Sequence, residues 1–227
     1  MTVLFVTGTD TEVGKTIATA ALVVATRAAG QSPYVVKPAQ TGIATGDPTD
    51  LDVVRALAGD VPGHEGIRLP DPLAPDAAAR VAGVTLPDIR EQRDAIVEHA
   101  SERLVLVEGA GGILVNLGEH WNLLDLAAAV AHAGVPVSFV VVARAGLGTL
   151  NHTALTVQAI QHRSLEVAGV IIGSWPEVPD LAMQQNLLDL PPITGVPLLG
   201  RIPAGAGKLP EAEFTRAAPG WLDSLPS

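Results

Sequence analysis

The stretch Gly8-Thr-Asp-Thr-Glu-Val-Gly14-Lys15-Thr16 constrains this chain more than any other. It follows a short apolar run, Val3 to Thr7, and precedes an Ala-, Thr- and Val-rich segment, Lys15 to Ala29, closed by Gly30. A buried strand, a glycine-bounded loop and a helix in that order make a phosphate cradle. Glycine lets the backbone approach an anion, several N–H groups point at it, and the helix N-terminus adds partial positive charge. Glu12, Val13, Gly14, Lys15, Thr16 and Ile17 form the nucleotide-binding run. Lys15 is placed to reach the β and γ phosphates, and the Thr16 hydroxyl to ligate Mg²⁺. The usual pattern has four residues between its two glycines; this one has five, with Thr at position 9.

The remaining chain repeats the strand–helix alternation. Strands are expected at Tyr34 to Lys37 (stopped by Pro38), Arg103 to Val107, Val137 to Ala143, Val167 to Ile172 and Leu198 to Ile202. Helices are expected at Asp50 to Ala58, Asp76 to Ala82, Leu86 to Ser101, Leu123 to Ala133, Thr149 to His162 and Leu181 to Leu190, with a short one at the C-terminal end. Thr41 to Thr49 reads as a loop. Residues 60–86, punctuated by Pro62, Pro70, Pro72 and Pro75, read as a loop excursion at the edge of the site. This pattern predicts one α/β domain over residues 1–227: a doubly wound, mostly parallel sheet with helices on both faces. Aromatic residues make up only 3% of the chain, so its core is built from Val, Leu, Ile and Ala, which suits buried parallel strands.

A phosphate loop that binds a metal nucleotide needs an acid on the metal side. Leu104-Val-Leu-Val-Glu108-Gly-Ala-Gly-Gly112 supplies one, with apolar residues ending in an acid where α/β sites form. The glycines beside Glu108 allow backbone to approach a ligand. Net charge is −10, from 14 basic and 24 acidic residues, which argues against nucleic acid or an anionic membrane as partner. The chain has no cysteine, so disulfides, thiolate metal sites and Cys nucleophiles are excluded. No secretory signal is read at the start, and the most apolar later run, Val135 to Ala143, is of strand length. The expectation is a soluble cytoplasmic protein.

The motifs together resemble the dethiobiotin synthases. Val6 to Thr16 is similar to that family's opening signature. Lys37-Pro38, Thr41-Gly42, Val107-Glu-Gly-Ala-Gly-Gly112 and Leu147-Gly-Thr-Leu-Asn-His152 match its later motifs in order. The resemblance implies closure of the ureido ring of dethiobiotin from 7,8-diaminopelargonic acid (7,8-diaminononanoate), CO₂ and a nucleoside triphosphate. An amine captures CO₂ as a carbamate, the carbamate attacks the γ-phosphate, and the second amine displaces phosphate from the mixed anhydride. Carbamate and triphosphate repel, so cations must neutralise the developing charge.

Carried over motif by motif, the resemblance makes Lys37, Lys15 and Thr11 catalytic. It places Lys37, Thr41, Gly111, Leu147, Gly148, Thr149, Leu150 and Asn151 around the diamine. The last five belong to a segment that reaches across a two-fold interface, which implies a homodimer with shared active sites; the plainer reading of that segment is a turn with Thr149 as helix cap. The metal set becomes Thr16, Glu108 and an aspartate. Asp47, Asp50 and Asp52 compete for that place, and the family's position at the start of the short helix favours Asp50 over a plain capping role. On the nucleotide side stand Asp50, Glu108, Gly109, Ala110, Gly111, Gly173, Ser174, Pro203, Ala204 and Gly205.

Here the chain departs from the family. Many members place Asn-Asp where this one has Gly173-Ser174, so the paired hydrogen bonds that read adenine are missing. Loose base selectivity is expected, with CTP used alongside ATP; Trp175 either stacks on a base or belongs to the core. The rival reading is a dimeric partitioning or assembly ATPase switch. Its extra lysine, five residues before the invariant one, falls here on Asp10.

Overall fold

The computed structural model describes residues 2–44 and 46–225. Position 45 of the expected 41–49 loop lies outside the described residues. The chain runs β1 (Val3–Gly8), α1 (Lys15–Ala28), β2 (Pro33–Thr41), α2 (Asp50–Ala58), β3 (Gly63–Leu69), α3 (Pro75–Ala82), α4 (Ile89–Ala100) and β4 (Leu104–Gly112). It continues through β5 (Asn116–Gly118), β6 (Trp121–Asn122), α5 (Leu123–His132), β7 (Val137–Ala143), α6 (Thr149–Gln161), β8 (Glu166–Trp175), α7 (Leu181–Thr194), β9 (Leu198–Pro203) and α8 (Glu211–Ala217).

Seven strands form one sheet in the order β3-β2-β4-β1-β7-β8-β9, and the pairs are parallel. Alternation within β1 sorts its side chains to the two faces. Val3 and Phe5 join the core under α4, α5, α6 and α7, while Leu4 and Val6 join the core under α1, α2 and α8. Phe5 and Phe139 stack at 5.2 Å between centroids, a rare aromatic contact in an aliphatic core. The sheet is therefore covered on both faces, as the alternating pattern predicts. Among the described residues no helix is long and apolar enough to cross a membrane.

Four expectations change. Residues 60–86 are not only a loop: β3 adds an edge strand, paired with β2 from Val35↔Gly63 to Thr41↔Leu69. Its sequence, GHEGIRL, has no alternation to reveal it. A Cβ on Gly66 would lie 2.2 Å from the Pro38 carbonyl oxygen, so close approach to β2 requires glycine there. Pro38 does not stop β2. Past Val36 that strand keeps only its β3 partner, where a missing N–H is tolerated. β4 likewise continues through Gly112, with a register shift against β1 after Glu108. Finally, α4 begins at Ile89 rather than Leu86, because the Asp88 side chain caps it by accepting from the Arg90 N–H.

Candidate active site

β1, β2 and β4 end at the same side of the sheet, and their ends meet the start of α1 in a cleft of about 490 Å³. Thr11, Lys15, Thr16, Lys37, Thr41, Asp50, Glu108, Ala110 and Gly111 all line it, with Glu12, Gly14 and Ile17. The loop crosses from β1 over β7: the Thr9 N–H donates to the Val142 carbonyl at 3.0 Å. Glu12 and Gly14 both take left-handed backbone, φ 55° and 96°, the kind of local conformation from which anion-binding concavities are built. The Lys15 ammonium donates to the Asp10 carbonyl at 2.9 Å, across the loop's mouth.

Lys37 is the centre of the site. Its ammonium, on a side chain only 3% exposed, donates to Glu108 Oε1 at 2.9 Å and to the Gly109 carbonyl at 3.0 Å. It also pairs with Asp50 Oδ2 at 2.6 Å. Glu108, equally buried, accepts from Thr16 Oγ1 at 2.9 Å and from Thr19 Oγ1 at 2.6 Å. Burial alone would push the Lys37 pKa down, but Glu108 and Asp50 outweigh it and hold it above the ordinary lysine value. Asp50 is the mirror case: burial would raise its pKa, yet Lys37 and hydrogen bonds from Lys37 and Thr16 hold it low. Lys15 has no such partners at contact distance. Burial, then repulsion from Lys37, lowers it to about 8.

Of the three competing aspartates only Asp50 reaches this cluster. Thr49 caps α2, and Asp52 closes the capping box by accepting from the Thr49 N–H at 3.0 Å. Asp47 is exposed. Among the described residues no three His, Cys, Asp or Glu side chains gather to hold a metal. Two carboxylates and the Thr16 hydroxyl still form a hard oxygen set beside the phosphate loop. Mg²⁺ binds through such sets, since it takes few protein carboxylates and fills its remaining positions with phosphate and water.

The residues expected at the base, Gly173, Ser174, Pro203, Ala204 and Gly205, do not line this cleft. β8 and β9 lie side by side, with Trp175 opposite Pro203 and the Ala204 N–H donating to the Trp175 carbonyl at 2.7 Å. This brings Gly173 and Ser174 beside Pro203, Ala204 and Gly205. The turn after β9 reaches the first turn of α1, where a Cβ on Gly207 would lie 2.8 Å from Ile17 Cδ1. Trp175 is half-buried and packs on the core, with the Arg201 guanidinium 5.3 Å from its ring. It lines a separate cleft with Glu177 and Trp221.

Leu147 to Asn151 do not line the phosphate-loop cleft of their own chain. Leu147 is 84% exposed, and Gly148 is the left-handed N-cap of α6, φ 90°. Thr149 is not the cap: it is buried, its hydroxyl 3.3 Å from that of Thr153. Leu150 is half-buried against the core and Asn151 is exposed.

A family model described as an AAA domain matches residues 2–207. The chain is 51% identical over 228 residues to the ATP-dependent dethiobiotin synthetase BioD of Rhodococcus jostii (strain RHA1), covering 99% of this chain and 96% of that protein. It is 51% identical over 223 residues to the BioD of Streptomyces avermitilis, covering 98% and 92%. The chain belongs to the dethiobiotin synthetase family. Among solved structures, this synthetase-family chain is similar in fold to the septum site-determining protein MinD of Pyrococcus horikoshii OT3, with TM-score 0.56, 16% identity and 97% and 91% of the two chains covered.

Several residues that hold the synthetase-family site together carry no motif of their own. Thr19 points its one hydroxyl proton at the second oxygen of Glu108, 2.6 Å away, with the Lys15 carbonyl as a longer, shared acceptor at 3.0 Å. Gln40 accepts from the Asp50 N–H at 3.0 Å and so seats the start of α2. Asn186, on α7, donates to the Ala145 carbonyl at 2.8 Å and braces the turn before Leu147. Thr19 lies one helical turn after Lys15, on the same face, which is the one sequence signal that could have found it.

Proposed function

We propose that the chain is a dethiobiotin synthase, a carbon–nitrogen cyclo-ligase of biotin biosynthesis that uses a nucleoside triphosphate. The observation that carries this reading is Lys37, buried between Glu108 and Asp50 and facing the same cleft as Lys15 and Thr16. An assembly-type switch would carry its extra lysine in the phosphate loop itself, where this chain has Asp10, and not on β2. A second buried cation at the γ-phosphate end suits a reaction in which another anion must approach the triphosphate.

In this reading the loop amides and Lys15 hold the triphosphate, and Thr11 donates to the reacting oxygens. The diamine lies along Thr41 and Gly111. One amine adds to CO₂ and loses a proton, giving the carbamate. Its oxygen attacks the γ-phosphorus, the bond to the leaving nucleoside diphosphate breaks, and Lys37 stays charged beside both anions. The second amine then adds to the carbamoyl carbon, phosphate leaves, and the ureido ring closes. Thr16, Asp50 and Glu108 would hold Mg²⁺, which supplies charge neutralisation at the β and γ oxygens when bound. Lys37 must then share its carboxylates with that ion.

The exposed Leu147 turn and the amides at the start of α6 would serve the diamine's carboxylate in a neighbouring subunit, making a C₂ homodimer. With no side chain at residue 173, base selectivity would be loose, with CTP accepted alongside ATP. The test of the whole reading is phosphate release measured with and without the diamine and bicarbonate. Release should require both and yield the cyclic urea. Equal release without the diamine would favour a simple nucleotide switch.

A further inference from the structure

Gly173 lies where the end of β8 passes under the phosphate loop, and the packing of this chain leaves no room for a side chain there. A Cβ built on Gly173 would lie 2.0 Å from the Val13 carbonyl oxygen and 2.7 Å from Val142 Cγ1. The relation is reciprocal, since a Cβ on Gly14 would lie 2.5 Å from the Gly173 carbonyl oxygen. Gly173 does not need glycine for its own conformation: it is absent from the positive-φ residues, and β8 continues past it to Trp175. It needs glycine because the backbone of the phosphate loop rests directly on it.

The register shows what this contact does. β7 lies between β1 and β8, with Gly8↔Val142 and Val142↔Ile171 paired. The loop leaves β1, is tied to β7 by the Thr9 N–H, and then passes over β7 until Val13 and Gly14 meet the end of β8. Gly14 is both the left-handed N-cap of α1 and the residue before Lys15. Its position sets the direction of the first free amides of α1 and the origin of the Lys15 side chain.

We infer that Gly173 is a positioning residue of the phosphate loop: its bare backbone seats the Val13–Gly14 segment and thereby sets the grip on the triphosphate of every nucleotide. This rests on the proposed reading that the loop binds a nucleoside triphosphate. It reverses the plain reading of the missing Asn. Residue 173 is then occupied by the loop rather than left vacant beside the base, and restoring Asn would not restore a reader.

Inorganic tripolyphosphate with Mg²⁺ separates the two, because it has no base. Wild-type binding of tripolyphosphate, followed by calorimetry, tests the underlying reading first; no binding by the wild type sinks that reading rather than this inference. Given binding, Gly173→Ala should weaken tripolyphosphate, ATP and CTP by a common factor of about tenfold or more. Gly173→Asn should weaken all three without favouring ATP. Gly200→Ala is the control for general damage, since its Cβ would lie 2.1 Å from the Trp221 carbonyl oxygen and its nearest neighbours are Trp221 and Leu222, not the loop. It should lower Tm yet leave tripolyphosphate affinity within about twofold. The inference is overturned if Gly173→Ala binds tripolyphosphate as the wild type does. Gly173→Asn shifting preference toward ATP at unchanged tripolyphosphate affinity overturns it equally, as does Gly200→Ala matching the Gly173→Ala loss. Should the Gly173 variants fail to fold, wild-type amide exchange decides. Tripolyphosphate should slow exchange at 173–175 together with 13–16, and no slowing at 173–175 overturns the inference.

Discussion

At the phosphate-loop cleft, Thr16, Thr19, Lys37, Asp50 and Glu108 meet side chain to side chain, mostly buried, with the Lys15 ammonium turned to the Asp10 carbonyl beside them. Gly173, Ser174, Pro203, Ala204 and Gly205 stand outside that cleft, where β8 and β9 meet each other and the loop largely through backbone. One region concentrates charge in a low-dielectric setting, where each partner depends on the others. In the proposed reading the other offers a base only shape and amide dipoles. The difference teaches where single substitutions matter: they should be severe among the charged groups and mild beside the base.

The largest effect should come from Lys37→Gln. In the proposed reading it removes the cation at the reacting oxygens, and it leaves Glu108 and Asp50 without the ammonium between them. Turnover should fall ~10³-fold, roughly 4 kcal/mol of transition-state stabilisation, while nucleotide still binds. Tm should also drop, since breaking a buried pair costs about 3–5 kcal/mol. Near-normal steady-state turnover would break the comparison at its strongest point. Next is assembly. If the Leu147 turn completes the neighbour's site, activity per chain should collapse on dilution in parallel with the dimer fraction seen by sedimentation. A monomer of full activity would remove that role.

The base end is tested by competition among ATP, CTP, GTP and UTP under identical conditions. All should lie within ~100-fold of one another, about 3 kcal/mol. A wider gap in favour of ATP would reveal an adenine reader that glycine, proline and alanine do not provide. The smallest effect concerns pH. The Lys15 pKa is lowered to about 8 in the free protein, so the folded chain favours its neutral form. Lys15 therefore detracts from stability below about pH 8, and that penalty fades as pH rises through 8 toward the unfolded value. Nucleotide affinity follows the opposite course, since it needs the ammonium. Mg-nucleotide affinity should weaken several-fold from pH 7 to 9, with a fraction of a proton taken up on binding near pH 8. Equal affinity and no buffer dependence of the binding heat would show that Lys15 does not titrate there.

The fold was legible wherever one face or both faces of an element are buried. The β1 run, the Ala-rich α1 and the apolar β7 declare themselves because burial dictates their composition. β3 did not, since an edge strand with two glycines owes its form to its partner β2 rather than to its own residues. The site divides in the same way. Lys15, Thr16 and Glu108 sit in short motifs whose spacing is local. Asp50 was reached only by analogy, and choosing it over Asp47 and Asp52 on physical grounds required the Thr49–Asp52 capping box to be seen. Thr19 and Gln40 act through contacts between distant segments, Gln40 across 10 residues and Thr19 across 89, which no local pattern encodes. Gly173 was noticed for the side chain it lacks. Its contact with Val13 and Gly14 exists only in three dimensions.

The ion pair between Asp10 and Arg144, 2.6 Å apart, joins the phosphate loop to the strand end just before the Leu147 turn. In the proposed dimer that turn serves the opposite subunit, so the pair is a mechanical strut between one chain's nucleotide and its neighbour's diamine. Both side chains are about half exposed, and such a pair transmits at most about 1 kcal/mol. Filling one nucleotide site should therefore change diamine affinity at the other subunit by no more than about fivefold. By reciprocity the diamine should change nucleotide affinity by the same factor. Salt should erase this cooperativity well before it weakens the buried cluster around Lys37.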